Sequence, residues 1–91
     1  MSTRSKVIEK APSRKTLDYY MSLSYQVFVK PLPKEDGGGY VAYIPLLGKF
    51  AFSATGSTIE EALHGLEDVK RSNFQWMLQH DIPIPEPPDE V

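Results

Sequence analysis

From Ile59 to Ile82 the chain runs without a proline, and its apolar residues Ala62, Leu63, Leu66, Val69, Phe74 and Met77 return at helical spacing. Nothing else in 91 residues constrains the fold as strongly. A helix of about five to six turns needs a surface to bury its stripe, and the segments before it are too short and too punctuated to be a second long helix. The start of this helix is written in "GSTIEEALHGLE" (56–67). Ser57 and Thr58 can each cap it, and each has a glutamate three positions on, Glu60 and Glu61 respectively, so a capping box fits either register. Both carboxylates also lie in the first turn, where the helix dipole favours negative charge. Two polar residues, Lys70 and Asn73, interrupt the stripe, within about 40° of Ile59 on a helical wheel. Either the stripe drifts and the Lys70 stem snorkels, or these two side chains face a partner.

The surface for that helix is a small sheet. "SYQVFVKPL" (24–32) is β-branched and aromatic, with Tyr25, Val27 and Val29 on one parity and Gln26, Phe28 and Lys30 on the other. Pro31 and Pro33 end it. "KEDGGG" (34–39) supplies a glycine turn, and "YVAYIP" follows at once as the second strand of a hairpin. After Gly48-Lys49, "FAFSAT" (50–55) alternates again, with Phe50, Phe52 and Ala54 on one parity, and completes a three-stranded antiparallel meander. "DIPIPEPPDEV" at the end allows an extended edge segment or a short fourth edge strand, but no central strand. Before the sheet, Ser13 can cap a short helix over "RKTLDYYMSL", in which Leu17, Tyr20 and Met21 share a face. The expected class is α+β, with one long and one short helix. Residues 1–13 form a flexible basic arm, 14–87 the folded domain and 88–91 an acidic tail.

Charge and composition narrow the function. Residues 1–15 hold five basic residues and one acid, a balance of +4, whereas the remainder holds five basic residues and eleven acids, a balance of -6. An acidic body disfavours a phosphate-binding surface and suits a basic protein partner. A nucleic-acid binder working through the arm is the weaker reading. The chain has no cysteine, which removes disulfides, thiolate metal sites and a cysteine nucleophile together. No segment has the apolar length of a signal peptide core or a membrane span, so a soluble cytoplasmic protein without membrane contact is expected.

Catalytic arrangements find little support. Glu60 and Glu61 are adjacent on a helix and diverge by about 100°, so they do not form an acid/base pair. Glu60, His64 and Asp68 share a helix face, yet no second histidine stands at a familiar ligand spacing, and neither metal nor cofactor is implied. Ser57 lies two turns before His64 and serves as a cap candidate rather than a nucleophile. The triple glycine lacks the ordered lysine and following helix of a phosphate loop. By contrast, Phe28, Val41 and Tyr43 fall on the opposite parity from Val27, Val29, Tyr40 and Ile44, so the sheet is apolar on both faces. One face must be covered by the long helix. The other calls for the short helix or another chain. Tyr43, Lys70 and Asn73 are the candidate residues for contact with a partner or a second copy.

"LDYYMSLSYQVFV", "GGGYVAYIPLLG", "TGSTIEEALHGLEDVK" and "DIPIPEP", in this order and spacing across residues 17–87, resemble the HicB-like antitoxins. The most selective elements are the "GYVAYIP" strand, the G-x-T-x-EEAL helix start and the "IPIPEP" ending. The resemblance implies a degenerate RNase H-like fold without that fold's catalytic acids, and a non-catalytic role: binding a HicA-type toxin, a small basic ribonuclease, and covering its RNA-binding surface. The alternative is a stand-alone homo-oligomer, a dimer or tetramer, without a toxin partner. The family's turn with an acid after Ile-Pro appears here as "IPLLGKF", with Leu46 in the acid's place. Members that repress their own operon carry a DNA-binding domain after the core, whereas this sequence reads to Val91, so direct DNA binding is not expected.

Overall fold

The computed structural model describes residues 15–88, so Ser13, the basic arm and residues 89–91 lie outside the described residues. The elements run α1 (Leu17–Met21), β1 (Phe28–Pro31), β2 (Tyr40–Tyr43), β3 (Ser53–Gly56) and α2 (Ile59–Gln79). Single 3-10 turns at Lys34–Asp36 and Pro45–Leu47 join the strands. The architecture is α+β: a three-stranded antiparallel sheet in the order β1-β2-β3, with the long helix α2 packed on one face.

At the start of α2 the two possible cap registers are resolved. Thr58 is the N-cap, its hydroxyl accepting from the Glu61 N–H at 3.1 Å, and Glu61 reaches back to accept from the Ser57 N–H at 2.8 Å. Glu61 thus serves the residue before the cap rather than the cap itself. Thr16 caps α1 in the same way, accepting from the Tyr19 N–H.

Register decides which parity of the sheet faces α2. Val29 pairs with Ala42, and Ala42 with Ala54. Ala42 is wholly buried, and Val29 and Ala54 pack on the core. The opposite face carries Phe28 beside Tyr43 and Lys30 beside Val41. Ala62, Leu66 and Phe74 descend from α2 onto Ala42, Ile44 and Phe52, and the Phe74 ring touches Tyr20, Tyr25 and Phe52 at centroid distances of 5.9, 5.9 and 5.4 Å. The small helix α1 also packs on α2, so it stands on the covered side and leaves the second sheet face to neither helix.

Three sequence expectations are corrected. Strand one is shorter than 24–32: only Phe28–Pro31 pair with β2. Strand three begins at Ser53, because Gly48 takes φ 105° and the Phe52 N–H bonds back to the Gly48 carbonyl at 2.9 Å, closing a turn over the residues expected to extend it. Phe50 therefore leaves the parity of Phe52 and Ala54 and projects into solvent, 87% exposed. The "DIPIPEP" segment adds no fourth strand. Pro83, Pro85 and Pro87 remove every second backbone donor, and the segment instead packs Ile84 into the core.

Candidate partner-binding surfaces

Strand polarity brings Phe28 and Tyr43 together on the open face, with ring centroids 5.8 Å apart and planes inclined by 28°. Lys30, two residues on from Phe28, places its ammonium 5.8 Å from the centre of the Tyr43 ring. The three side chains form a row across the sheet. At the same end of the sheet Val27 and Phe28 are 38% and 44% exposed, and Leu46 and Phe50 project from the β2–β3 connection. Lys49 lies 5.4 Å from the Phe50 ring.

The charge is segregated by element. Residues 19–34 and 37–59, which hold the whole sheet and both its connections except Glu35 and Asp36, contain no carboxylate and carry Lys30, Lys34 and Lys49. The first half of α2 is the reverse: residues 59–68 hold Glu60, Glu61, Glu67 and Asp68 and no lysine or arginine. On that half Ile59 and Leu63, one turn apart, are 46% and 38% exposed. They count as apolar stripe residues in the sequence, but they lie outside the core because the stripe that reaches the sheet is Ala62, Leu66, Lys70 and Phe74.

The structure does not bring Tyr43, Lys70 and Asn73 to one place. Tyr43 is half-buried on the open sheet face, away from α2. Lys70 is buried in the middle of the α2 stripe, its ammonium 3.1 Å from Glu67 Oε2 and 6.0 Å from the centre of the Tyr25 ring. Its charge is met inside the protomer. Asn73 donates from Nδ2 to the Ala51 carbonyl at 2.8 Å and so ties the β2–β3 connection to the helix. A polar residue inside a helical stripe is ambiguous in sequence, because only the tertiary contact shows what it bonds.

A clasp that sequence reasoning missed joins the two ends of the described chain. Lys15 Nζ donates to Glu86 Oε2 and the Tyr19 hydroxyl to Glu86 Oε1, both at 2.8 Å, while the Tyr25 hydroxyl donates to the Pro85 carbonyl at 2.6 Å. These bonds hold "IPIPEP" along α1. The Lys15 ammonium, with the Tyr19 hydroxyl, holds the Glu86 carboxyl below the usual carboxylate range. Burial, with the nearby Glu86 charge, pushes the Tyr25 phenol up to about 12. The signs follow. Glu86, with a depressed folded pKa, contributes stability above its unfolded value that is lost as pH falls through the folded one. Tyr25, with a raised pKa, contributes stability below about 10 that is lost as pH rises towards about 12. The Glu86→Gln variant is expected to show a flatter acid limb in a denaturation series monitored by circular dichroism. An unchanged acid limb would mean that the clasp adds nothing to stability.

Two further features are chemically quiet. Gly37, Gly38 and Gly39 all have positive φ and share a cleft with Thr55, Gly56 and Ser57, so the fold brings the start of α2 beside the glycine loop although the sequence does not. The Gly37, Gly38 and Ser57 N–H groups are already given to Lys34, Pro33 and Glu61, and Asp36 also lines the cleft, which opposes an anion. Glu60, His64 and Asp68 are exposed along α2, and among the described residues no group of three or more such side chains is arranged to hold a metal ion. No described helix is long and apolar enough to cross a membrane. No family model, curated protein or solved structure matches the chain.

Proposed function

We propose that this chain is a non-catalytic, HicB-like antitoxin that neutralises a small basic HicA-type ribonuclease by covering its RNA-binding surface. The observation that carries this reading is the first half of α2, where Ile59 and Leu63 are exposed and Glu60 and Glu67 stand beside them on the adjacent helix face. An apolar pair with an acidic edge fits a basic partner, because the hydrophobic pair supplies contact area and the carboxylates speed encounter and set orientation. In this reading Lys70 acts by holding Glu67 in place from inside the helix face, and Asn73 by anchoring the β2–β3 connection. The small meander with its long helix is read as a reduced RNase H-like fold. The motifs in residues 17–87 and this surface support the same partner class from separate directions.

The test is co-expression with the product of a small basic reading frame beside this one. The native chain is expected to form a complex that survives purification and stops RNA cleavage. Reversing charge at the acidic edge, with Glu60→Lys and Glu67→Lys together, is expected to weaken that complex at least about tenfold and to reduce its salt dependence. Neutralisation by the reversed variant at native strength would remove α2 as the contact surface. The absence of any complex with such a ribonuclease would remove the antitoxin reading.

A further inference from the structure

The outer edge of β1 has the hydrogen-bonding pattern of a strand that pairs with itself. The Leu32 N–H donates to the Gly39 carbonyl at 2.8 Å, which fixes Phe28, Lys30 and Leu32 as the residues bonded inward to β2. Val27, Val29 and Pro31 then direct their backbone groups outward. No described strand meets them, since β1 is an edge of the sheet. Lys30, Pro31 and the short length of β1 limit this edge, so an outer ladder is confined to Val27 and Val29. Its outward-bonding residues are two valines and a proline, and the flanking Phe28 is 44% exposed.

We propose that a second copy of this chain pairs antiparallel along β1, with Phe28 on the two-fold axis, joining two sheets into one of six strands. The register follows from where the donors are missing. With Phe28 on the axis, Val27 and Val29 of one copy exchange both backbone bonds with Val29 and Val27 of the other. The next outward pair is Pro31 against Tyr25. Pro31 has no N–H, and the Tyr25 N–H is already given to the Leu23 carbonyl at 3.2 Å. Both gaps fall at the same pair, so the new ladder stops at each end without an orphaned donor. Shifting the axis to Val27 pairs Val29 with Tyr25 and leaves the Val29 carbonyl facing a donor already in use.

Side chains agree with that register. Phe28 meets its own copy as a non-hydrogen-bonded pair, where Cα atoms approach to about 4.5 Å, so the row Lys30, Tyr43, Phe28 continues across the axis in mirror order. Lys30 comes opposite Gln26, whose amide oxygen accepts from an ammonium. A face carrying only lysines thereby avoids a direct like-charge pair. A contact built on one short strand per copy buries less than the roughly 1,200 Å² of standard stable interfaces, so association is expected to depend on concentration rather than to be permanent.

The full chain tests this alone, without any ribonuclease, so the outcome is separate from the antitoxin reading. The sequence contains no cysteine, so a single introduced thiol reports only on itself. Phe28→Cys is expected to give a covalent dimer on mild oxidation, because the two Cα atoms fall within disulfide range. Lys30→Cys is expected to stay monomeric, because in this register its copy lies four residues away, about 13 Å along the strands. Sedimentation of the native chain is expected to show a monomer–dimer equilibrium, abolished by Val27→Pro, which removes one outward donor and no bond to β2. Monomeric native chain at all concentrations, or equal cross-linking at both positions, overturns the proposal. Should Val27→Pro lose its helical circular dichroism, the cysteine pair still decides the register.

Discussion

Phe74→Ala is expected to cost the chain a large part of its folding stability. Phe74 is fully buried, and its ring is the point where α2, α1, the extended Tyr25 segment and the β2–β3 connection meet, through Tyr20, Tyr25 and Phe52. Removing a buried phenylalanine costs about 3–5 kcal/mol, the lost transfer energy plus the cavity that three flanking rings cannot close. Domains of this size have about 5–10 kcal/mol in total, so the loss is a large share of it. Urea denaturation followed by circular dichroism at 222 nm checks it: the midpoint should fall well below the native value. A shift of less than about 1 kcal/mol would mean that Phe74 is not the keystone of the core.

The second large effect is expected at Gly56, the last residue of β3. A Cβ placed there would lie 2.6 Å from the Ala62 nitrogen and 2.6 Å from Glu61 Cβ, both in the first turn of α2. Neither can yield without moving the helix away from the strand. Gly56→Ala is therefore expected to cost about 1–3 kcal/mol through overpacking, lowering Tm by about 4–8 °C for each kcal/mol. Gly65 makes the comparison sharp. Its added Cβ would meet only the Ala54 side chain, at 3.2 Å, and alanine there recovers helix propensity of about 1 kcal/mol. Gly65→Ala should consequently change Tm far less than Gly56→Ala. Equal effects would show that the helix start is free to adjust. The same close approach makes Gly56 part of the proposed binding surface's support, because it sets how far Ile59 and Glu60 stand from the sheet.

Local signals were legible where the physics is local. The start of α2 and its proline-free run depend on residues within one or two turns, and the helix begins at Thr58, one of the two caps the sequence offers. The hairpin between β1 and β2 follows from three glycines that all adopt positive φ. Phe50 was misplaced because alternation predicts a strand wherever it occurs, and a turn closed by Gly48 and Phe52 overrides it. Lys70 and Asn73 looked available for a partner because their polarity was visible and their bonding partners, Glu67 and Ala51, were not. The Glu86 clasp escaped notice for the same reason: its partners lie 67 and 71 residues away in the chain.

By itself, the sequence determined the element types, the antiparallel order of the strands and the place where the long helix begins, all set by backbone preferences over a few residues. It also carried the family resemblance from which a toxin-binding role is proposed. Only the tertiary structure decided which sheet face is covered, since both parities are apolar and α1 joins α2 on the same side. It alone left the outer edge of β1 unpaired among the described residues and joined Glu86 to Lys15 and Tyr19, because those properties belong to residues distant in sequence that only packing brings together.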